Sequence, residues 1–333
     1  MENCLTLSFE EGLISPVNLI TQEAVKISLS NYENSNLNSN KHLSDIDIRT
    51  VISQTKALPP LPGSALRIIN LTQNHKACAG DLAEVIEFDP LLTMQIIRWA
   101  SSSMYGYRGK ITSVLDAITR VLGFNFVLDL ALGLAVLAPL KSPQEGIMGT
   151  RMFWIHALSS VSMMKSIADK LPESLNLKRN EVFLVALLHN IGFPLIGHLF
   201  PTEFARLNAV IETNPLTNIT DLEVSAFGYN HTEMGAWLMR DWAMPTILIQ
   251  IVYHHHNSAY RGVNYHLNLL TYLNDCLLGE IGIGDAINQV CPDDVYQELA
   301  IKSDDCRHIL QGLHADMESI IATAEQLSKG GHV

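Results

Sequence analysis

The stretch "KRNEVFLVALLHNIGFPLIGHLF", residues 178–200, carries the pattern that decides the fold class. Its apolar residues recur at helical spacing in an almost continuous run, which predicts a helix buried in a core. A polar pair, His189 and Asn190, interrupts this run. Three interpretations of the pair are open: a metal site that lacks one charge, the remnant of an enzyme, or two polar residues near the end of an ordinary helix.

The rest of the chain repeats the helical spacing. From Ile46 onward, apolar residues stand three and four apart in successive segments. Asp89 followed by Pro90 marks the start of a new helix, because Asp is a good N-cap and Pro a good first helical residue. A break near Gly123-Phe124 separates two further helices. We find no sustained alternating segment and no internal repeat, so the predicted class is all-α, a multi-helix globular array rather than a regular bundle.

Composition limits the possible partners. The chain has 333 residues, 47% of them hydrophobic, which is ample for a large core in one or two domains. Its 34 acidic and 22 basic residues give a net charge of −12. A surface of this sign repels phosphate backbones and anionic lipids, so we expect neither nucleic acid nor a membrane surface as partner. The apolar segment 126–140 contains Asp129 and is shorter than the roughly 20 residues that span a bilayer.

Cysteine usage and the N-terminus favour a cytoplasmic protein. The five cysteines form no Cys-x-x-Cys pair, which argues against a disulfide scaffold and a zinc–thiolate site. The first residues lack a basic region followed by an apolar stretch, so they do not form a secretory signal. Residues 30–45, rich in Ser and Asn, predict a flexible linker. After Gly284, amphipathic and more acidic segments predict two or three C-terminal helices appended to the core.

Several of the 13 histidines lie in apolar helical segments, where inward-projecting side chains of separate helices can build a metal site. The candidate ligands are His156, His189, His231, His254, His255 and Asp275. Each has an ordinary structural alternative. A lone core histidine is usually held by a backbone carbonyl, the His254–His255 pair fits a loop cap, and Asp275 fits a helix cap or an ion pair. His256 is expected to face solvent. The order of the whole set is much less expected by chance than any single member.

This order resembles that of the HDOD domain, the HD-related output domain of bacterial signalling proteins. The resemblance starts at "LPPLPGSALRIINL", residues 58–71, and continues through "DLAEVIEFDPLLTMQIIRWASSSMYG", where Ser101 replaces the usual Asn. The segments that follow in family order are "ITSVLDAITRVLGFNFVLDLAL", "FWIHALSSV", "FLVALLHNIG", "YNHTEMGAWLMRDWAMP" and "IVYHHH". The resemblance covers roughly residues 45–280. It leaves residues 1–44 as an N-terminal segment and linker and residues 281–333 as a C-terminal helical extension.

The resemblance implies a helical fold related to the HD metal phosphohydrolases and a non-catalytic regulatory role. Its relatives, the HD-GYP phosphodiesterases, cleave cyclic dinucleotides at a site of two or three metals. The positions that correspond to their ligands are His156, His189, Asn190, His231, His254, His255 and Asp275. In those enzymes a Gly-Tyr-Pro motif follows the double histidine. This chain has "HNSAYRGVNYHL", residues 256–267, in that place.

Asn190 stands where the enzymes carry an aspartate that bridges two metals. A carboxamide has one good donor oxygen and no charge, so it attracts two cations much less strongly than a carboxylate does. Because a bridging hydroxide needs both metals, we expect hydrolysis to be lost or badly impaired. Two groups could still hold a single Fe or Mn ion: His156, His189 and Asp275, or His231, His254 and His255. The alternative is a hydrogen-bonded polar core without a metal.

The resulting prediction is a signalling module that acts through protein contacts or ligand sensing. The expected partners are a kinase, a response regulator or a cyclic-dinucleotide enzyme, and a homodimer is an open alternative. The exposed faces of the helices in residues 285–328 are candidate partner surfaces. The competing hypothesis, favoured by the retained histidines, is a metal-dependent phosphohydrolase or cyclic-dinucleotide phosphodiesterase.

Overall fold

The computed structural model describes residues 59–329, apart from positions 73, 75, 103, 104 and 288. Within these residues the regular elements are all helical and no strand is present, which confirms the predicted all-α class. The predicted N-terminal segment and linker, residues 1–44, lie outside the described residues.

The helices fall into two groups along the chain. The first group consists of α1 (Gly63–Thr72), α2 (Ala79–Glu87), α3 (Pro90–Ala100), α4 (Val114–Asp116), a π-helical turn (Ala117–Leu122) and α5 (Phe124–Leu137). The second group consists of α6 (Thr150–Ala168), a 3₁₀ turn (Glu173–Leu175), α7 (Arg179–Leu188), α8 (Gly192–Leu199), α9 (Pro201–Thr213), α10 (Ile219–Phe227), α11 (His231–Asp241), α12 (Thr246–His254), α13 (Tyr265–Glu280), α14 (Asp293–Glu298) and α15 (Ser303–Lys329).

Local sequence signals place the first helices. The Asp89 side chain accepts hydrogen bonds from the backbone amides of Leu91 and Leu92, and Pro90 is the first residue of α3. This confirms the predicted start of the helix. Gly123, at a φ of 83°, separates the π-helical turn from α5 as predicted, in a backbone conformation that favours glycine.

The core lies between the two groups of helices. α5 is buried from Val127 to Leu137 and packs against α1, α3 and α7. α6 lies at the centre of the second group, where α7, α13 and α15 pack against it. α11 packs against α8 and α12. These contacts bring the middle of α6, the ends of α7 and α12, and the start of α11 into one buried region.

A glycine allows the closest of these approaches. A Cβ atom at Gly192, the first residue of α8, would lie 1.9 Å from the backbone oxygen of His231. Because any side chain would push the two segments apart, Gly192 fixes the start of α11 beside the His189–Asn190 turn.

One described stretch, Arg179–Leu199, has the length and apolarity of a membrane span. In the fold it is not one rod but two helices, α7 and α8, joined by a turn at residues 189–191. Its most apolar window is 89% buried inside the protein, which is the position of core helices.

The C-terminal residues form two described helices, α14 and the 27-residue α15. α15 buries Leu310, Leu313 and Ile320 and packs along α6 and α13. This apolar stripe contributes to the same core as the preceding helices. The domain boundary predicted at residue 280 stays a prediction.

Candidate metal centre

Histidine and aspartate side chains from five helices meet in the buried region around α6. His156 lies in the middle of α6, His189 and His255 cap the ends of α7 and α12, His231 begins α11, and Asp275 lies within α13. All five side chains are buried. They belong to two adjacent groups. The His231 cluster is His231, His255, His256 and Asp285, and the His156 cluster is His156, His189 and Asp275.

The ligand atoms of the His231 cluster converge on one point. Nε2 of His231 lies 3.3 Å from Nε2 of His255 and 3.2 Å from Nε2 of His256. Oδ2 of Asp285 lies 3.2 Å from His231 Nε2 and 2.9 Å from His256 Nε2. Ligand atoms about 2.1 Å from one cation stand about 3.0 Å apart on an octahedron and about 3.4 Å apart on a tetrahedron. These four separations therefore fit atoms that share one metal ion.

Hydrogen bonds on the far side of the rings orient two of these histidines. Nδ1 of His231 donates to Oε2 of the buried Glu223 at 2.7 Å, and Nδ1 of His255 donates to the Val252 carbonyl at 2.9 Å. A neutral imidazole that is protonated at Nδ1 carries its lone pair at Nε2. The cluster therefore has the outer hydrogen bonds that metal-binding histidines almost always make. Oδ1 of Asp285, buried and without a hydrogen bond to the described residues, is a further ligand atom without a partner.

The carboxylates of Glu223 and Asp285 affect the pKa values of the histidines in this cluster. Burial lowers the pKa of His231, but the nearby Glu223 and Asp285 outweigh burial and raise this pKa to about 10. Burial, followed by the charges of the neighbouring histidines, holds the pKa of His255 well below its usual value. Burial raises the pKa of Asp285, but His256 and His231 outweigh it and hold this pKa well below the usual range. Without a metal, His231 therefore holds a second ring proton, and a metal ion must displace it.

The His156 cluster is more fully hydrogen-bonded. Oδ1 of Asp275 lies 3.3 Å from His156 Nε2 and 3.2 Å from His189 Nε2. Neutral donors also reach this cluster, since Asn274 Nδ2 donates to Asp275 Oδ1 at 3.1 Å and to Ser160 Oγ at 3.0 Å. Burial lowers the pKa of His189, but Asp275 outweighs burial and raises it. An imidazolium–carboxylate pair therefore satisfies much of this cluster without a metal.

Asn190 acts on the His156 ring. Its Nδ2 donates to His156 Nδ1 at 3.3 Å, which leaves the ring proton on Nε2 and directs an N–H group, not a lone pair, toward Asp275. Asn190 Oδ1 and Asp275 Oδ2 are buried without a hydrogen-bond partner among the described residues, and His189 Nε2 has its ion-pair contact with Asp275 Oδ1. The cluster thus keeps part of a ligand set, but Asn190 favours the wrong tautomer of His156.

The structure brings together most of the predicted ligands, with one correction. His254, the last residue of α12, is part-exposed and stacks on Tyr260, with ring centroids 4.0 Å apart. The turn that follows α12 directs both His255 and His256 into the His231 cluster. The second histidine of this pair is therefore His256, which the sequence analysis expected to face solvent and which is only 15% exposed.

Two acids of the site were not predicted from the sequence. Asp285 lies in the loop after α13, beyond the limits of the resemblance, and Glu223 lies in α10. A weak signal exists for Asp285, because Gly284 precedes it. Gly284 has a φ of 93°, and a Cβ atom there would lie 2.6 Å from Cδ2 of His156. This glycine lets the loop pass directly against the site. No signal in the sequence distinguishes Glu223 from an exposed helical acid.

Comparisons with known proteins identify the family and the fold of the chain. The family model of the HDOD domain matches residues 58–258. A crystal structure from Marinobacter aquaeolei VT8, described as a signal transduction protein, is 31% identical with a TM-score of 0.75, and the match covers 92% of this chain and 66% of that one. An HDOD domain protein of unknown function from Geobacter sulfurreducens is 20% identical with a TM-score of 0.67, over 84% of this chain and 96% of that one.

A further relative is similar in sequence over part of its length. An uncharacterised protein of Treponema pallidum is 22% identical over 209 residues, which are 62% of this chain and 39% of that protein. The chain therefore spans well under half of this relative and just under two thirds of the Marinobacter structure's chain. A structure from Shewanella amazonensis SB2B, described as a phosphohydrolase, is 19% identical with a TM-score of 0.62, over 84% of this chain and 97% of that one, and it shares the fold.

Proposed function

The chain belongs to the HDOD domain family, and we propose that it is a non-catalytic regulatory module of bacterial signalling that binds one divalent metal ion in the His231 cluster. The metal would be Fe²⁺ or Mn²⁺, for which imidazole and carboxylate are suitable ligands. The module would act in the cytoplasm on a signalling protein such as a kinase, a response regulator or a cyclic-dinucleotide enzyme.

One observation carries the proposal. Three imidazole Nε2 atoms and a carboxylate oxygen converge in the His231 cluster, where four of their six separations are 2.9 to 3.3 Å and all lie within 4.8 Å. Lone pairs that face one another across such distances repel unless a proton or a metal ion lies between them. The Glu223 and Val252 hydrogen bonds direct two of the lone pairs inward, so the cluster is prepared for a cation.

The His156 cluster supports the non-catalytic part of the proposal. Hydrolysis by two metals requires a second cation and a hydroxide shared by both. Asn190 brings no charge to that position, and its hydrogen bond holds His156 in the tautomer that does not ligate through Nε2. Asp275 is instead paired with His189. The bound metal then has a structural task, because its ligands come from α11, from the turn after α12 and from the loop after α13.

Metal content tests the proposal, with a matched pair of neighbouring histidines. We expect about one equivalent of Fe²⁺ or Mn²⁺ in the wild-type protein after anaerobic loading and removal of free metal. His256→Ala removes a ligand and should retain less than about a tenth of that metal. His254→Ala removes a neighbouring ring outside the cluster and should retain all of it. Equal metal content in the two variants, or no metal in the wild-type protein, would show that the His231 cluster is not a metal site.

The second candidate function is a metal-dependent phosphohydrolase. It is favoured by Asp275 Oδ2 and Asn190 Oδ1, two buried oxygen atoms without a hydrogen-bond partner among the described residues, which resemble part of an incomplete second metal site. Two equivalents of metal in the wild-type protein, together with turnover of bis(p-nitrophenyl) phosphate or of a cyclic dinucleotide, would favour this candidate over the regulatory module. One equivalent without turnover would favour the regulatory module.

A further inference from the structure

A cavity connects the His231 cluster with the outside of the protein. It has a volume of about 480 Å³, and its lining runs from exposed residues, among them Glu212 and Leu216, to the buried Asp285. His256 also lines the cavity and is 15% exposed in its side chain, whereas the side chains of His231 and Asp285 are fully buried. The ligand atoms of the cluster are therefore approached from solvent along this cavity.

The cavity lining has a negative charge. Its acidic residues are Glu212 and Asp285, and neither Lys nor Arg is among the described lining residues. Glu212 lies in the last turn of α9, and the C-terminal end of a helix carries partial negative charge on its free carbonyl groups. A cleft lined by one sign of charge raises the local concentration of ions of the opposite sign. This lining therefore attracts cations and repels anions.

The inner end of the cavity contains an oxygen atom without a partner. Oδ2 of Asp285 contacts His231 and His256, but Oδ1 of the same carboxylate is buried and has no hydrogen bond to the described residues. A buried polar atom without a partner costs free energy, most of all when it belongs to a charged group. Because Asp285 lines the cavity, a cation that enters would supply the positive partner that this oxygen lacks.

The uncharged polar residues of the lining supply further oxygen atoms, which suit a hard divalent cation or its water shell. These residues are Asn214, Thr217, Asn218, Tyr272 and Gln289. Asn214 Nδ2 donates to the Val210 carbonyl at 2.8 Å, so the remaining acceptor of this side chain is Oδ1. Six waters occupy about 180 Å³ in the liquid, at about 30 Å³ each. A fully hydrated cation therefore fits into the cavity.

We propose that this cavity is the entry route of the metal ion. Glu212 is the outer residue that attracts a hydrated divalent cation, and Asp285 and His256 are the ligands that the cation meets first. The route runs between the α9–α10 connection and the loop after α13, which are joined by a hydrogen bond of 3.1 Å from Gln289 Nε2 to Asn218 Oδ1. The inference rests on the proposed metal site of the His231 cluster and concerns how that site is filled.

The rate of Mn²⁺ uptake tests the role of Glu212. Chelator-treated full-length protein is mixed rapidly with Mn²⁺, and the electron paramagnetic resonance signal of free Mn²⁺ is followed as it decreases. We expect Glu212→Gln to slow uptake about fivefold at low salt, and we expect this difference to shrink as salt screens the charge. Glu318→Gln removes the same charge from an exposed position on α15 and should leave the rate unchanged.

A steric variant tests the route itself. Thr217→Trp fills part of the cavity, so entry requires a conformational change, and we expect uptake to slow about tenfold. Release into excess chelator should slow by the same factor, because an obstacle on the route changes both rates and leaves the Kd unchanged. Ser225→Trp places the same side chain at an exposed position of α10, outside the cavity lining, and should change neither rate.

The outcomes separate this inference from the proposed metal site. One equivalent of Mn²⁺ that enters both Glu212→Gln and Thr217→Trp at the wild-type rate overturns the entry route and leaves the metal site in place. If Thr217→Trp does not fold, a wild-type uptake rate in Glu212→Gln overturns the proposal by itself. A wild-type protein that binds no Mn²⁺ overturns both the entry route and the metal site.

Discussion

Asn190 shows how one atom changes the chemistry of a buried site. With a carboxamide, the Nδ2 group donates to His156 Nδ1 and the ring presents an N–H group to Asp275. A carboxylate at the same position accepts a hydrogen bond from an Nδ1–H group of His156, which leaves the lone pair on Nε2. The replacement of oxygen by nitrogen therefore removes a negative charge and also reverses the tautomer of the neighbouring ligand.

The variant Asn190→Asp should restore both properties. We expect the metal content of the protein to increase from about one to about two equivalents, because the His156 cluster gains a charge and a correctly oriented lone pair. Slow turnover of bis(p-nitrophenyl) phosphate should accompany the second metal. Elemental analysis and a colorimetric assay measure the two effects.

The control for this variant is Asn190→Ala, which removes the carboxamide without adding charge and should stay at one equivalent. An unchanged metal content in Asn190→Asp would mean that the pairing of Asp275 with His189, rather than Asn190, prevents the second metal from binding.

The sequence identified some site residues and missed others for a physical reason. His156 and His231 lie in helices with apolar segments, and burial of the helix brings the side chain into the core. Asp285 and His256 follow helix ends, where the direction of a side chain depends on the path of a loop. That path is fixed by distant contacts, such as the approach of Gly284 to His156, which no local pattern contains.

The helix α5 is strongly apolar but contains one buried acid, Asp129. Asp129 is 7% exposed in this helix, and its carboxyl forms no ion pair or hydrogen bond with the described residues. Burial raises its pKa to about 7. The helix itself was predictable, since its period and the Gly123 break are local. The burial of Asp129 was not, because it results from the packing of α1, α3 and α7 around it.

The variant Asp129→Asn should change how stability depends on pH. In the unfolded chain this carboxyl loses its proton near pH 4, but in the fold it keeps the proton up to about pH 7. The folded state therefore binds more protons between these values, and the free energy of unfolding decreases as pH rises from about 4 to about 7. Asn has no titratable proton, so the variant does not lose stability in this way as the pH rises. We expect the variant's advantage over the wild-type protein to grow by about 1 to 4 kcal/mol between pH 4.5 and pH 8.

Urea unfolding at a series of pH values measures this effect. Asp316→Asn, exposed on α15, serves as the control and should give a curve parallel to the wild-type curve. A parallel curve for Asp129→Asn as well would show that Asp129 is ionised in the fold at pH 4.5.

The side chains of the His231 cluster come from segments that are distant in the chain. His255 follows His231 by 24 residues, and Asp285 follows His256 by 29 residues. Glu223 of α10 accepts a hydrogen bond from His231. The rest of the described fold has its own core around α5 and α6, so we expect the chain to fold without a metal. A metal bound in the His231 cluster would instead restrain the loop after α13, which carries Asp285.

Metal binding should therefore raise thermal stability without being required for the fold. A ligand that binds only the folded state at about 100 times its Kd stabilises that state by about 2.7 kcal/mol. For a chain of this size, about 2 °C per kcal/mol gives an increase in Tm of about 5 °C when Mn²⁺ is added to chelator-treated protein. Hydrogen exchange in residues 281–292 should slow with the metal, while exchange in α5 stays unchanged. His256→Ala should lose both responses and His254→Ala should keep them. An equal rise of Tm in both variants would show that the stabilising metal binds elsewhere on this acidic chain. The position of the loop after α13 would then result from packing alone.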